Sequence, residues 1–536
     1  MNRLEGLRPR RLLGLAACAA LSLALAGCFG SGGTSSPSSK DPAAAVPASA
    51  LLYVEAYVRP TGAMLSGIDA ASNELLGIAD PGATIDAAID GALPPGSSYE
   101  HDIRPWLGHQ AAFALLGGTT AASARVAVVI DQTNATLAGR LLARRAKSTG
   151  SDGGVTYYRE GSDGYAAVVG SFLVIANDLP ALSAIIAVDN GAAALAGDAS
   201  FKQDVAAELP GAAGFAYVSA GQLLRLFAGL AAHQSGGAAL SLLLQPFIRK
   251  YASLKVYGSA RLNASGALVD ISTSGAPAGG SSGAPSAATS ANPIGTLPGG
   301  SWLALGATDV GPALAGALTT LGQIGGATSG GATSFAQDLK AIQTATGVNV
   351  EADLRSITTL GVFVKGTTLA SLEAGVVLGV DDPARAPALV EQIRRLLALV
   401  ASSGHAFAIG SLSASGVQAG FTLRVPGVPY AFAVAAANGE IVVALDARSL
   451  ADAIASGGRL GSGASYASAT ALLGGGIQPD LIVDLPALLT FAESAGGFEG
   501  SSAQQLLTHL RRLGVLALGT GQQDGAEHLR IALGPS

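Results

Sequence analysis

The stretch Tyr165-Ala166-Ala167-Val168-Val169-Gly170-Ser171-Phe172-Leu173-Val174-Ile175-Ala176 decides the fold. Two apolar runs rich in β-branched residues flank a two-residue turn with glycine first, as a type II′ hairpin requires, because its first central position has positive φ. Strands joined by so tight a turn are antiparallel. A second stretch, Tyr430–Ala437, Asn438-Gly439 and Glu440–Leu445, has the same form with the Asn-Gly pair of a type I′ turn. Each hairpin runs into an aspartate, Asp178 or Asp446, placed to accept from the free N–H groups at the start of a short helix.

Working outward, the flanks of the two hairpins correspond. Arg125–Ile130 with Asp131 matches Ala374–Val380 with Asp381, and each leads into a helical pattern, Ala135–Lys147 and Ala384–Leu399. Upstream, Tyr99-Glu100-His101-Asp102-Ile103-Arg104 corresponds to Val350-Glu351-Ala352-Asp353-Leu354-Arg355, with Leu107-Gly108 and Leu360-Gly361 soon after. The two halves open on Leu51–Ala56 and Ser301–Gly306. Downstream come helical starts at Ser200-Phe201 and Ser465-Tyr466, and strands at Gly214–Ser219 and Asp480–Asp484. Each half closes on period-2 apolar pairs, Leu254–Thr273 and Val515–Leu533, broken by Asn263–Gly266 and Gly521–Gly525. A repeat found at this scale governs the whole reading. The expectation is α+β: two similar tandem domains, 46–274 and 295–536, each a mainly antiparallel sheet with helices packed on one face, joined by a Gly/Ser/Ala/Pro linker over 275–294.

The amino terminus carries an address. Arg3, Arg8, Arg10 and Arg11 precede the apolar run Leu12–Leu25, and Leu25-Ala26-Gly27-Cys28 reads as the cleavage and acylation site of a lipoprotein signal over 1–28. At roughly 1.5 Å per residue, Leu12–Leu25 is too short to cross a hydrocarbon core about 30 Å thick. The Gly/Ser/Pro-rich tract 29–45 has the composition of a flexible tether. Acyl chains on Cys28, palmitate among them, would anchor the protein outside the cytosol, because each buried methylene contributes about 0.8 kcal/mol. Cys18 leaves with the leader, so the mature body is expected to hold no disulfide.

Several phrases carry a family resemblance: Ala50-Leu51-Leu52-Tyr53-Val54-Glu55, then Asp102-Ile103-Arg104-Pro105-Trp106-Leu107-Gly108, then Gly154-Val155-Thr156-Tyr157 leading into Val168–Val174. In this they resemble a family of uncharacterised bacterial envelope proteins, domain of unknown function family 3352. The resemblance implies an exported lipoprotein and brings no known activity or site residue with it. The second half departs from the phrase, with Ser356-Ile357 where Pro105-Trp106 would fall.

The body offers little compact chemistry. A formal net charge of -6, with 13% of residues charged, gives no electrostatic case for nucleic acid. The basic clusters Arg140–Lys147 and Arg394-Arg395 read as solvated helix faces. Gly279-Gly280-Ser281-Ser282-Gly283 satisfies G-x-S-x-G but sits in the linker, without the strand-to-helix elbow that would expose a serine nucleophile. Gly519-x-Gly521 with Gly525 misses the dinucleotide spacing. Glu100, His101, Asp102 and His109 form the densest group of ligand or acid–base types. What both halves retain there is Glu-x-Asp-x-Arg, a pattern for helix capping and ion pairing. No catalytic, metal or cofactor residue is assigned, and no cofactor is expected. Trp106, Tyr157, Tyr158, Tyr165 and Phe172 read first as core, then as the walls of an apolar pocket.

The function expected is a membrane-tethered envelope lipoprotein acting as a non-enzymatic binding or interaction module. Its partners are the membrane through the anchor, and an apolar ligand or an envelope protein. The alternatives are an exported hydrolase with a dispersed site drawing on His101, Asp102 or His109, and a structural spacer.

Overall fold

The computed structural model describes residues 40–93, 96–118, 123–159, 164–223, 225, 252–274, 292–313, 315, 343–344, 349–402, 407–496, 507–523 and 526–536. Cys28 with its leader, His233, His405 and the 279–283 motif lie outside the described residues. The chain divides into two compact units, Met1–Gly283 with Gln522–Arg530, and Ala284–Gly521 with Ile531–Ser536. The placement of Gln522–Arg530 in the first unit departs from a second domain running unbroken over 295–536.

Unit 1 contains β1 (Leu52–Tyr57), β2 (Leu107–Gly117), β3 (Arg125–Gln132), β4 (Ser148–Asp152), β5 (Val155–Arg159), β6 (Tyr165–Val169), β7 (Phe172–Ala176), β8 (Gly214–Ser219), β9 (Lys255–Asn263) and β10 (Gly266–Ser274). They pair in the order β4-β5-β6-β7-β3-β2-β1-β8-β9-β10, every pairing antiparallel. The hairpin expected from Gly170-Ser171 is present, with Val169 opposite Phe172 and Gly170 at φ +54°. Helices among its described residues include α1 (Gly62–Ala71), α2 (Pro81–Ala92), α3 (Ala135–Arg145), α4 (Leu179–Asp189) and α5 (Ala199–Ala206). Asp178 caps α4 by accepting from the Ala181 N–H at 2.8 Å.

These helices cover both faces of the sheet, which corrects the one-faced arrangement expected from the sequence. Along β7, Phe172, Val174 and Ala176 pack with Ala181, Leu182, Ile185 and Ile186 of α4 and Phe201 of α5. The alternate residues Leu173 and Ile175 pack with Leu137, Ala138 and Leu142 of α3 and with Trp106. Successive strand side chains point to opposite faces, so α4 and α3 lie on opposite sides. The α4 side also holds Tyr53, Phe215 and Tyr217 in edge-to-face contact with Phe201, at centroid separations of 5.7, 5.8 and 5.4 Å.

Part of the tract expected as tether is folded. Asp41 accepts from the Ala43 N–H at 2.7 Å and caps a single 3-10 turn, Pro42–Ala44, while Ala43 and Val46 are fully buried in the unit 1 core. Residues 41–45 are therefore body. The same device opens unit 2, where Asn292 caps Pro293–Thr296 and Ile294 is fully buried. In both places an Asx cap precedes a proline whose missing N–H costs nothing in the first turn.

Unit 2 contains β11 (Ser301–Thr308), β12 (Ile357–Lys365), β13 (Glu373–Val380), β14 (Ala408–Ser411), β15 (Val417–Arg424), β16 (Ala431–Ala437), β17 (Glu440–Ala444) and β18 (Gln478–Asp484). The closing ribbon is β19 (Leu513–Gln523) and β20 (Ala526–Pro535), with Gln522–Arg530 grouped in unit 1. The pairing order is β14-β15-β16-β17-β13-β12-β11-β18-β19-β20, antiparallel at every step from β14 to β19. Its helices are α6 (Val350–Arg355), α7 (Ala386–Ser402), α8 (Ala447–Ile454), α9 (Ala464–Leu473) and α10 (Leu485–Ser494). Val434 and Ala436 of β16 pack with Leu389 and Val390 of α7, yet Ala433, Ala435 and Ala437 are buried as well. This sheet too is covered on both faces.

Candidate functional site

The first-half phrase Asp102-Ile103-Arg104-Pro105-Trp106-Leu107-Gly108 builds a corner between a single π-helical turn, Tyr99–Ile103, and strand β2. Ser98 caps the turn: its Oγ accepts from the His101 N–H at 3.3 Å, and its own N–H donates to Asp102 Oδ2 at 3.1 Å. Trp106 Nε1 donates to the Asp102 carbonyl at 2.6 Å, which turns the indole back beneath the turn, and the Trp106 carbonyl accepts from the Thr133 N–H at 2.8 Å. Gly108 is required by contact: a Cβ there would sit 2.1 Å from Asp131 Oδ2, the oxygen that accepts from the His109 N–H at 3.0 Å.

A pocket of about 580 Å³ opens at this corner, a size in the range of small-molecule sites. Pro105, Trp106 and Leu137 supply apolar wall, and Ala143 with the facing residues of α3 completes it. Around them stand His101, Arg140 and Arg144, with Asp102 as the carboxylate. Arg144 Nη2 meets Asp102 Oδ1 at 2.5 Å. That guanidinium, with the Ser98 N–H, holds the Asp102 carboxyl below the usual range, so it stays charged and paired. Glu100 is engaged by Arg104 at 2.6 Å, which holds its carboxyl low as well. Arg140 makes no hydrogen bond or ion pair among the described residues.

Residues 93–297 match the family DUF3352. Its description is a protein of unknown function. The matched segment contains the Asp102–Gly108 corner, the Gly154–Tyr157 phrase and the Val168–Val174 hairpin, whereas Ala50–Glu55 lies ahead of it. No curated protein matches the chain. Among solved structures, crystal forms III, I and IV of TP0453 are similar at 11%, 11% and 13% identity, with TM-scores of 0.25, 0.26 and 0.24. The overlaps cover 45%, 46% and 44% of this chain and 83%, 83% and 80% of TP0453. Superposition this loose defines neither a shared fold nor a shared activity.

Within the DUF3352 segment, the three residues that a hydrolase would draw on are not arranged for it. His101 Nδ1 meets Ser98 Oγ at 3.0 Å, but Ser98 is the cap of the turn, and the neighbouring carboxylate of Asp102 is turned to Arg144. His109 Nδ1 bonds the Arg59 carbonyl at 2.9 Å, a structural tie. Two other groupings imitate catalytic sets. Ser272 Oγ and Asp270 Oδ1 both reach Nδ1 of His528, at 2.7 and 2.9 Å, whereas a triad needs serine and acid on different ring nitrogens. All three residues are buried. Ser200 contacts Lys255, but the Ser200 hydroxyl donates to Asp198 at 2.5 Å and, with the Phe201 N–H, holds that carboxyl down at about 2. Burial alone would weaken the Lys255 ammonium, yet Tyr217 and Asp198 hold it above its ordinary range, so it stays protonated and is no base. Among the described residues no group of three His, Cys, Asp or Glu side chains is placed to hold a metal ion.

The segment Val350–Arg355 carries ion pairs of its own. Glu351 meets Arg355 at 2.6 Å, and Asp353 meets Arg385 at 3.5 Å. Ala352 and Ile357 stand where the first half has His101 and Trp106. Glu-x-Asp-x-Arg is thus an ion-pairing scaffold in both places, and the pocket's ring side chains lie in the first half. Arg140 and Arg144, taken from the sequence as part of a solvated face, are pocket residues. The signal available for them was their spacing of four on one helix, which puts both on one face.

Proposed function

We propose that the protein is a non-enzymatic binding module of the cell envelope, held at a membrane by acyl chains on Cys28, with the pocket at Trp106 as its ligand seat. The observation that carries this reading is the pocket itself. It combines an apolar wall with one arginine, Arg140, that makes no hydrogen bond or ion pair among the described residues, and it is built by the phrase on which the family resemblance rests. The basic leader, the apolar run and Leu25-Ala26-Gly27-Cys28 support the anchor. We also infer that the chain is an internal duplication whose first half carries the ligand seat. The two strand orders and the paired Asx-Pro caps support that view.

The test uses the full chain carrying Trp302→Phe, which leaves Trp106 as its sole tryptophan. Octanol, a neutral apolar probe, is expected to shift Trp106 emission saturably, and Leu137→Asp is expected to abolish the response. An emission spectrum moved by neither octanol nor octyl phosphate overturns the ligand seat. Incorporation of labelled palmitate that persists in Cys28→Ser overturns the anchor.

A further inference from the structure

We propose that the ligand of this pocket is a free amphiphile with an oxyanion head, phosphate or carboxylate, and that Arg140 is the group that selects the head. The inference rests on the binding reading above and adds the chemistry of the ligand. Arg144 is committed to Asp102 at 2.5 Å, which neutralises the carboxylate of the pocket. Arg140 lies one helical turn earlier on the same face of α3 and makes no hydrogen bond or ion pair among the described residues. A guanidinium is always charged, and its planar fork matches two oxygens of a carboxylate or phosphate at once.

An exposed arginine by itself would be ordinary. Here it borders a pocket with Trp106, Pro105 and Leu137 as apolar wall and His101 as a further polar group. A cationic ligand would meet like charge, a neutral one would leave the guanidinium unmatched, and an inorganic anion would leave the apolar surface of Pro105 and Leu137 uncovered. The whole chain carries a net charge of -6, so a positive local balance runs against its background. An anion joined to a short apolar body satisfies both walls together.

The experiment again follows Trp106 emission in the full chain with Trp302→Phe, using octyl phosphate, octanol, inorganic phosphate and vesicles of dioleoylphosphatidylglycerol as probes. Octyl phosphate is expected to bind at least tenfold more tightly than octanol. Arg140→Gln is expected to remove that advantage, and Arg140→Lys to restore part of it. Inorganic phosphate alone is expected to leave the emission unmoved. Equal affinities for octyl phosphate and octanol, or an advantage that survives Arg140→Gln, overturn the assignment while the apolar seat stands. A response to the vesicles with none to octyl phosphate replaces the free amphiphile with a bilayer headgroup. If no probe moves Trp106, the binding reading itself has failed.

Discussion

Arg530 Nε donates to Asp270 Oδ2 at 2.9 Å with each side chain only 6% exposed. Burying two charges is costly, and the pair persists because its hydrogen bonds replace lost water: His528 occupies the other carboxylate oxygen of Asp270, and Gln523 accepts from Arg530 Nη2 at 2.7 Å. Removing Arg530 leaves the buried Asp270 without its guanidinium, with only His528 still against it. Arg530→Met should therefore destabilise unit 1 by about 3 to 5 kcal/mol. Adding Asp270→Asn to that variant should recover a large part of the loss. Guanidinium denaturation of the three proteins checks both, and a single variant that melts like the parent contradicts the account.

Stability should also fall as pH rises from mildly acidic values to 8. Burial pushes the Glu55 carboxyl up to about 8, against the Tyr53 hydroxyl that donates to it at 2.5 Å, and the charges of Asp41 and Glu208 raise it further. Burial, with Asp41 beside it, raises Glu208 to about 7. In the unfolded chain these groups titrate near 4.3. Between that value and 8 the folded state holds more protons than the unfolded one, so the contribution is complete below about 4.3 and is lost as pH climbs through the folded values. Thermal melts across pH 4 to 9 should show this slope, and Glu55→Gln should flatten it and raise stability at pH 8.5.

Local chemistry was legible wherever a short stretch settles its own geometry. Gly170 and Asn438-Gly439 announced their turns by the positive φ they adopt, and Asp178 and Asp446 each accept from the N–H of the third residue of their helix at 2.8 Å, as read. Coverage of the sheet was misread because a tight turn says only that its strands are antiparallel. The continuous apolar runs Phe172–Ala176 and Ala433–Ala437 were the better sign, since a strand buried on both faces loses its alternation. The Asp41-Pro42 and Asn292-Pro293 caps lay inside tracts whose Gly/Ser/Pro composition suggested linker. The pocket was illegible for a different reason. Arg140 and Arg144 gain their role from a π-helical turn far upstream, and no local pattern records that meeting.

The two hairpin glycines should differ in their tolerance of alanine. Gly170 at φ +54° and Gly439 at φ +79° both occupy the left-handed region, where an L side chain costs roughly 1–2 kcal/mol. A Cβ on Gly170 would meet Asp189 Oδ1 at 2.7 Å, the movable end of a side chain, whereas on Gly439 it would meet the rigid ring of Pro383 at 2.6 Å. Gly439→Ala should therefore lower the melting temperature more than Gly170→Ala, and Asn438→Gly should change it little. Calorimetry of the three variants checks the ranking.

Trp106 joins fold and pocket, and two substitutions separate those duties. The indole is 4% exposed, packs with Leu107, Ala138, Leu142 and Leu173, and donates its only N–H to the Asp102 carbonyl. Phenylalanine keeps most of the apolar contact and forfeits the hydrogen bond, a loss of about 1 kcal/mol. Alanine removes the ring and leaves a cavity beneath the turn, which typically costs about 3 to 5 kcal/mol. Because the same bond orients the turn that carries His101 and Asp102, Trp106→Phe should weaken the Asp102–Arg144 pair with little effect on folding. Resonances of the Arg144 guanidinium, measured alongside denaturation, report the two duties independently. If the Phe variant melts as low as the Ala variant, the hydrogen bond, and not the ring's packing, holds the corner.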